Sequence, residues 1–228
     1  MRDFVFPPLI LPIFLLLVVL PFFTVFFVFT SSRIFQILFG LSYSEALWIF
    51  LMIILGSFVN IPIYEKEGRE IVMKYYVFGF MYTVRKREKI TIAVNLGGCV
   101  FPVILALRLL SELPISCFLL AFTISTAVIY YYAKPIPGVG IAVPVFIPPV
   151  IASLSSLISL VLLGYPILLL PKLSFTSGVL AALFGADILH LKDVEQIGSG
   201  VVSIGGAGTF DGIFLTGIFA VIFSFFLI

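Results

Sequence analysis

Residues 1–29, "MRDFVFPPLILPIFLLLVVLPFFTVFFVF", carry no charge from Phe4 to Phe29. A helix needs roughly 20 apolar residues to cross the hydrocarbon core of a bilayer, and this run exceeds that length. It is also too long for the apolar part of a cleaved signal, and no small-x-small cleavage site follows it. We therefore expect the segment to be a retained first transmembrane helix.

The composition of the rest of the chain agrees with a membrane class. Of its 228 residues, 62% are hydrophobic and 11% are charged, with a mean hydropathy of +1.29. A soluble domain needs more polar surface than this, whereas lipid can solvate apolar side chains. The sequence predicts a single integral membrane domain over residues 1–228, located in the cell membrane with the lipid bilayer as its partner.

Further apolar segments of spanning length follow the first one. The seven predicted spans are residues 8–30, 44–63, 91–110, 114–133, 147–165, 173–190 and 207–228. The predicted fold is therefore an all-α, polytopic membrane helical bundle of about seven spans.

Two segments between the spans have a different character. Residues 64–90 contain charged ends around "IVMKYYVFGFMYTV", whose β-branched and aromatic residues around a glycine predict a small β-hairpin near the headgroups. Residues 134–149 contain five prolines in an apolar context. Because irregular backbone is not tolerated against lipid, this second segment is expected to be either interfacial or re-entrant between helices.

The basic residues predict an orientation. With the 64–90 loop in the cytoplasm, ten of the thirteen Lys and Arg residues lie inside, and only Arg33, Arg108 and Lys172 lie outside. Cytoplasmic loops of membrane proteins carry such an excess. The predicted topology has the N-terminus and the hairpin in the cytoplasm and the C-terminus outside.

Several kinds of chemistry lack their sequence motifs. There is no Walker A loop, no dinucleotide-binding fingerprint and no CxxC motif, and His190 is the single histidine. Cys99 and Cys117 fall in apolar segments, which predicts buried thiols rather than a disulfide. We expect no metal, no cofactor and no nucleic-acid partner, and the oligomeric state is left open.

Asp187 and Asp211 are unusual among the acidic residues, because both lie inside predicted spans rather than in loops or at span ends. Asp187 lies near the cytoplasmic end of the sixth predicted span, and Asp211 lies about one turn into the seventh. The two spans are antiparallel neighbours, so both carboxylates are expected at a similar depth. A charge inside a transmembrane helix costs about 2.5–3.5 kcal/mol, which favours a functional role. The alternative is structural, with Asp211 or Thr209 capping a helix and Asp187 solvated near the interface.

Glycines and one amide accompany this pair. Gly205, Gly206, Gly208 and Gly212 could bring backbone N–H groups close to a substrate, or they could serve helix packing. Asn95 lies in "NLGGCVFP", which interrupts the third span, and its carboxamide could bind substrate or could make one interhelical hydrogen bond. Both interpretations stay open at the level of sequence.

One resemblance covers Gly185–Ile218, "GADILHLKDVEQIGSGVVSIGGAGTFDGIFLTGI". This stretch, together with "NLGG" followed by Pro102 and with "PGVGIAVP", resembles an uncharacterised family of archaeal and bacterial multi-pass membrane proteins, a domain of unknown function. The resemblance implies a seven-span layout and no activity.

A second resemblance concerns the two aspartates. Their placement is similar to that in intramembrane aspartyl proteases of the presenilin and signal-peptide-peptidase type, which have one Asp in a sixth span and another in a Gly-x-Gly-Asp motif that opens a seventh. The resemblance implies catalytic roles for Asp187 and Asp211. This sequence departs from that pattern, since Phe210 replaces the second glycine, Ala186 rather than tyrosine precedes Asp187, and no Pro-Ala-Leu motif follows.

Three functions follow from these observations. The first is a diaspartyl intramembrane hydrolase that cleaves a membrane-spanning peptide, in which the two carboxyls share a proton because both cannot ionise easily. The second is a small permease or proton- or ion-coupled carrier of a small solute that uses the same pair. The third is a structural membrane protein without catalytic activity.

Overall fold

The computed structural model of the chain describes residues 10–77, 80–136, 140–193, 200–206 and 212–228. Its contacts form two compact units, Met1–Phe50 and Leu51–Ile228. The single domain over residues 1–228 stays a prediction.

The first unit contains helix α1, Ile10–Phe39, and the first part of helix α2, Tyr43–Gly56. Gly40 ends α1 with a φ of 66°, which glycine adopts without a steric penalty. The backbone N–H of Ser42 donates to Glu45 Oε2 at 2.9 Å, so this carboxylate caps the start of α2. Large apolar side chains of α1 are exposed, for example Phe22 at 75%, as expected of a helix surface surrounded by lipid.

The second unit contains the remaining helices. Its α-helices are α3 at Phe101–Leu110, α4 at Ile115–Tyr132, α5 at Ile147–Leu163, α6 at Leu170–Ala182 and α7 at Gly212–Phe225. Short π-helical turns at Leu96–Val100 and Leu183–Asp187 and 3₁₀ turns at Ile167–Leu169 and Ile188–Asp193 extend them.

Helix α6 is the centre of this bundle. Apart from Lys172, its residues are buried along the whole helix, and it contacts α3, α4, α5 and α7. Spans six and seven were expected to be neighbours, and the contact between α6 and α7 confirms this. In the sequence, Asp187 follows α6 and Asp211 precedes α7, so the two helices next to these residues are in contact.

Two small sheets adjoin the helices. Strands β1, Asn60–Val77, and β2, Phe80–Asn95, pair antiparallel, and β5, Gly200–Ile204, pairs parallel to the end of β2. Strands β3, Lys134–Ile136, and β4, Gly140–Ala142, form the second sheet within the proline-rich segment. The predicted hairpin is confirmed.

The structure corrects the boundaries of two predicted spans. Residues 60–63 and 91–95 were expected to be helical, but they are the ends of β1 and β2, so the hairpin is longer than residues 64–90. The run "ITIAV" at residues 90–94 is apolar enough for either structure, and its β-branched residues pair with β1 and β5 instead.

The prediction of a mostly helical fold is confirmed, and the number of spans is only partly supported. Within the described residues, three helices are long and apolar enough to cross a membrane, at Ile13–Phe39, Ile115–Tyr132 and Ile167–Asp193. Four further apolar helices are shorter, at Tyr43–Gly56, Leu96–Leu110, Ile147–Leu163 and Gly212–Phe225. A helix of 14 residues such as α2 or α7 is about 21 Å long, less than the hydrocarbon thickness of about 30 Å.

Candidate functional site

Asp187 is the last residue of the π-helical turn that follows α6. A π-helical turn widens the helix locally, and such turns are frequent at functional sites. Gly185 lies within the turn, where a Cβ atom would meet the backbone oxygen of Thr126 at 2.9 Å. The turn is thus packed tightly against α4, and the Asp187 side chain is partly buried.

The backbone of Gly205 forms a hydrogen bond with the Asp187 carboxylate. Its backbone N–H donates to Asp187 Oδ2 at 3.1 Å. Gly205 follows β5 and has a φ of +73°, and a Cβ atom there would lie 2.6 Å from Cβ of Cys99. Both the backbone angle and the close packing therefore require glycine.

A cavity of about 320 Å³ lies beside the Asp187 carboxylate. Its walls come from β4 and the residues after it (140–143 and 145), from β5 and its turn (201–206), and from the start of α7 (212–213 and 215–216). The lining is completed by Ile129 of α4, Pro148 of α5, Ala182 of α6 and, beside Asp187, Ala186 and Leu191. The result is a largely apolar chamber with the Asp187 carboxylate in its wall.

The structure brings together four of the predicted site residues. Asp187, Gly205, Gly206 and Gly212 all line this cavity. Asp211 and Gly208 lie outside the described residues, so the close approach of the two carboxyls stays a prediction. Gly212 directly follows Asp211 in the sequence.

Asn95 lies outside this lining, and its carboxamide makes three hydrogen bonds. Its Oδ1 accepts from the Gly98 N–H at 2.7 Å, and its Nδ2 donates to the Ser57 oxygen at 2.7 Å and to Asn60 Oδ1 at 3.0 Å. Only 1% of Asn95 is exposed. Its carboxamide thus links the end of α2, the start of β1 and the π-helical turn before α3, and its contact with substrate stays a prediction.

Asn60 and Ser203 connect Asn95 to the cavity, and sequence reasoning did not identify either residue. Ser203 Oγ donates to Asn60 Oδ1, the same atom that Asn95 contacts. Ser203 belongs to β5 and lines the cavity. The signal that could have identified Asn60 was a carboxamide within a predicted apolar span. Its contact with Ser203 could not be predicted, because the two residues lie 143 positions apart in sequence.

The proline-rich segment supplies a cavity wall that the sequence did not assign to the site. Ile141 of β4 packs against the buried pair Ile90 and Val202, and residues 140–143 and 145 line the cavity. The sequence left the segment open as interfacial or re-entrant. Its depth relative to a membrane stays a prediction.

Buried hydroxyls connect the helices around α6. Ser125 of α4 and Ser155 of α5 lie with their Oγ atoms 2.7 Å apart, and Ser156 of α5 and Ser177 of α6 lie 3.0 Å apart. Hydrogen bonds between helices stabilise membrane bundles by a modest amount, about 0.6 kcal/mol on average. The core of the bundle is therefore partly polar.

The cysteines and the histidine do not belong to the described cavity lining. Cys99 and Cys117 are both buried, as expected. His190 is also buried, with Nδ1 at 3.1 Å from the Gly185 oxygen and its ring 4.6 Å from that of Tyr130. Over the described ranges, no three His, Cys, Asp or Glu residues are grouped so that they could hold a metal ion.

Comparison with known proteins assigns the chain to a family. A search of curated proteins and a search of solved structures each returned no match. The family described as "Protein of unknown function (DUF1614)" matches residues 54–223, which agrees with the expectation of a family without an assigned activity. That match spans the hairpin, the π-helical turn at Asp187 and most of α7, so the chain belongs to the DUF1614 family.

Proposed function

We propose that this protein is an intramembrane hydrolase in which Asp187 and Asp211 form the catalytic pair. One observation carries the proposal: Asp187 lies in the wall of a cavity of about 320 Å³ that is also lined by Gly212, the residue next to Asp211 in the sequence. A carboxylate beside an apolar cavity lowers the stability of the fold, and in membrane proteins such residues usually mark functional sites. The similarity to intramembrane aspartyl proteases adds support at the level of sequence.

The chemistry would use the two carboxyls in different protonation states. The ionised carboxylate takes a proton from water as the water oxygen attacks the peptide carbonyl carbon. The protonated carboxyl then donates its proton to the leaving nitrogen, the C–N bond breaks, and a carboxylic acid and an amine are released. The Gly205 N–H would hold the Asp187 carboxyl in place through its bond to Oδ2.

The proposal includes the seven-span topology with a cytoplasmic N-terminus and hairpin. The ion pair between Lys172 and Glu112 supports it, because both residues lie in segments predicted outside. The bond between Asp187 and Gly205, and the pairing of β5 with β2, likewise join segments predicted on the cytoplasmic side.

A carrier is the second candidate, and the polar bundle core favours it. Ser174 and Thr176 of α6 are buried with their hydroxyls unpartnered in the described part of the chain. A buried hydroxyl without a partner is costly, and a passing solute could bind it. In this case, the aspartates would bind protons or cations during transport instead of activating water.

Substitution of each aspartate by asparagine tests the hydrolase. Asp187→Asn and Asp211→Asn should each abolish cleavage of a membrane-spanning reporter peptide in liposomes. The amide oxygen introduced by Asp187→Asn can still accept the Gly205 N–H, so the fold is expected to persist. Asp193→Asn is the matched control, since Asp193 lies on the adjacent 3₁₀ turn and outside the cavity lining.

The outcomes separate the candidates. Cleavage by wild type that both variants lose supports the hydrolase. The absence of cleavage by wild type, together with pH-dependent solute flux that the same variants lose, supports the carrier instead. Full activity of both asparagine variants in a deletion strain would contradict both and leave the structural role.

A further inference from the structure

The polar groups of the cavity are mostly occupied by the protein itself. Ser203 donates to Asn60, and Thr216 Oγ1 donates to the Gly212 oxygen at 2.6 Å. The Asp187 carboxylate accepts the Gly205 N–H through Oδ2. Within the described residues, the Asp187 carboxylate accepts one hydrogen bond, at Oδ2, which leaves Oδ1 to accept another from a ligand.

The charge of the lining favours a cationic ligand. The described lining residues include the Asp187 carboxylate and no Lys, Arg or His. An ammonium group donates charge-assisted hydrogen bonds to a carboxylate, and these are stronger in apolar surroundings than in water. A ligand with an ammonium group would thus provide a positive charge opposite the Asp187 carboxylate, which the described lining residues do not provide.

The size and surface of the cavity favour an aliphatic chain. About 320 Å³ is close to the lower limit of the roughly 300–1,000 Å³ typical of small-molecule sites. Its walls carry aliphatic side chains on several sides, including Ile141, Val145, Val201 and Ile213. Burial of a short hydrocarbon chain there contributes about 0.8 kcal/mol per methylene group.

We propose that the cavity binds an aliphatic group that carries a primary ammonium, with the ammonium on the Asp187 carboxylate and the hydrocarbon among the aliphatic walls. This inference takes one point from the proposed function, namely that the cavity beside Asp187 is the substrate site. The amine released by cleavage before an aliphatic residue has the same two features. Binding can be measured without turnover, so a protein that binds amines but cleaves nothing refutes the hydrolase and keeps this inference.

Thermal unfolding of the purified full-length protein in detergent is the test. Octylamine should raise the unfolding midpoint of wild type and of the Asp193→Asn control at concentrations where octanol has no effect. In Asp187→Asn, the apparent affinity for octylamine should fall by at least about tenfold, because the counter-charge is removed. Equal stabilisation of wild type and Asp187→Asn by octylamine, or equal stabilisation of wild type by octanol, overturns the inference.

A second variant tests the hydrocarbon site independently of charge. Ala186 lines the cavity, so Ala186→Leu should reduce its volume and shift the best ligand from octylamine toward shorter alkylamines. An unchanged preference for chain length contradicts the placement of the hydrocarbon. Leucinamide distinguishes the sources of the ligand: stabilisation by leucinamide assigns a peptide amine, and stabilisation by octylamine alone assigns a free alkylamine.

Discussion

Gly205 couples the fold to the site at the scale of a single residue. Its φ of +73° turns the chain after β5, its missing Cβ lets Cys99 approach, and its N–H meets the Asp187 carboxylate at 3.1 Å. Any side chain would disturb all three features at once. The sequence left open whether Gly205 approaches a substrate or serves helix packing, and the structure places it in the cavity wall.

Gly205→Ala is therefore expected to destabilise the protein. The left-handed backbone and the contact of 2.6 Å with Cys99 Cβ together should lower the free energy of unfolding by at least about 2 kcal/mol. Denaturant unfolding in detergent measures this. Gly212→Ala is the control, because nothing lies within 4 Å of a Cβ at Gly212, and its effect should stay within about 0.5 kcal/mol. Equal effects of the two variants would contradict this account of Gly205.

The sequence anticipated some residue roles and missed others. Asp187 and Gly205 could be singled out, because a carboxylate and a glycine cluster are unusual inside apolar segments, and both line the cavity, while their roles in a reaction stay predictions. The partners of Asn95 could not be predicted, since Ser57 and Asn60 lie 38 and 35 residues away in sequence. Only folding brings such groups together.

At the scale of elements, glycines on both helices allow α6 and α7 to pack closely against each other. A Cβ at Gly217 of α7 would lie 2.6 Å from Cγ2 of Val179 on α6, and one at Gly178 of α6 would lie 3.4 Å from Cγ2 of Thr216 on α7. Small residues let membrane helices approach closely. This close packing brings the end of α6 and the start of α7, which both line the cavity, next to each other.

Gly217→Ala should destabilise this helix pair, and Val179→Ala should rescue it. The added methyl group overlaps with the Val179 side chain, so the single variant is expected to lose about 1–3 kcal/mol of unfolding free energy. In the double variant, the closest contact is gone and the Phe175 ring, with Cε2 at 2.9 Å, remains, so the total loss should be smaller than the sum of the single losses. Additive losses in a thermal or denaturant unfolding series would contradict a direct contact between the two positions.

Element boundaries were predictable where length and pattern agreed. The sequence predicted 114–133 as a span, and helix α4 covers Ile115–Tyr132. Around the hairpin, the apolar β-branched run at residues 90–94 fits a strand or a buried helix equally well by pattern. Pairing with both β1 and β5 decided in favour of a strand.

The ion pair between Lys172 and Glu112 bears on the topology of the whole molecule. It joins the loop between α3 and α4 to the start of α6, at positions 60 residues apart in sequence. Both ends must lie on the same side of a membrane if α3 to α6 cross it. The orientation predicted from the basic residues places that side outside.

Cysteine labelling in intact cells tests this orientation. Leu168 is 86% exposed and lies in the segment predicted outside, so Leu168→Cys should react with a membrane-impermeant maleimide. Lys86→Cys in the hairpin should react only after permeabilisation. The native Cys99 and Cys117 are buried, so the background of wild type should be low. The reverse pattern of labelling would refute a cytoplasmic hairpin.

By itself, the sequence determined the membrane-like class, the mostly helical fold, the hairpin and the unusual position of Asp187, because hydropathy and charge act locally along the chain. Only the tertiary structure decided where the hairpin ends, which glycines line the cavity and which serve packing, and that Asn95 is bonded within the protein. Those features depend on contacts between segments far apart in sequence, such as Gly205 with Cys99 and Ser203 with Asn60. Their pairing is set by how β5 and the helices pack together, which no local pattern encodes.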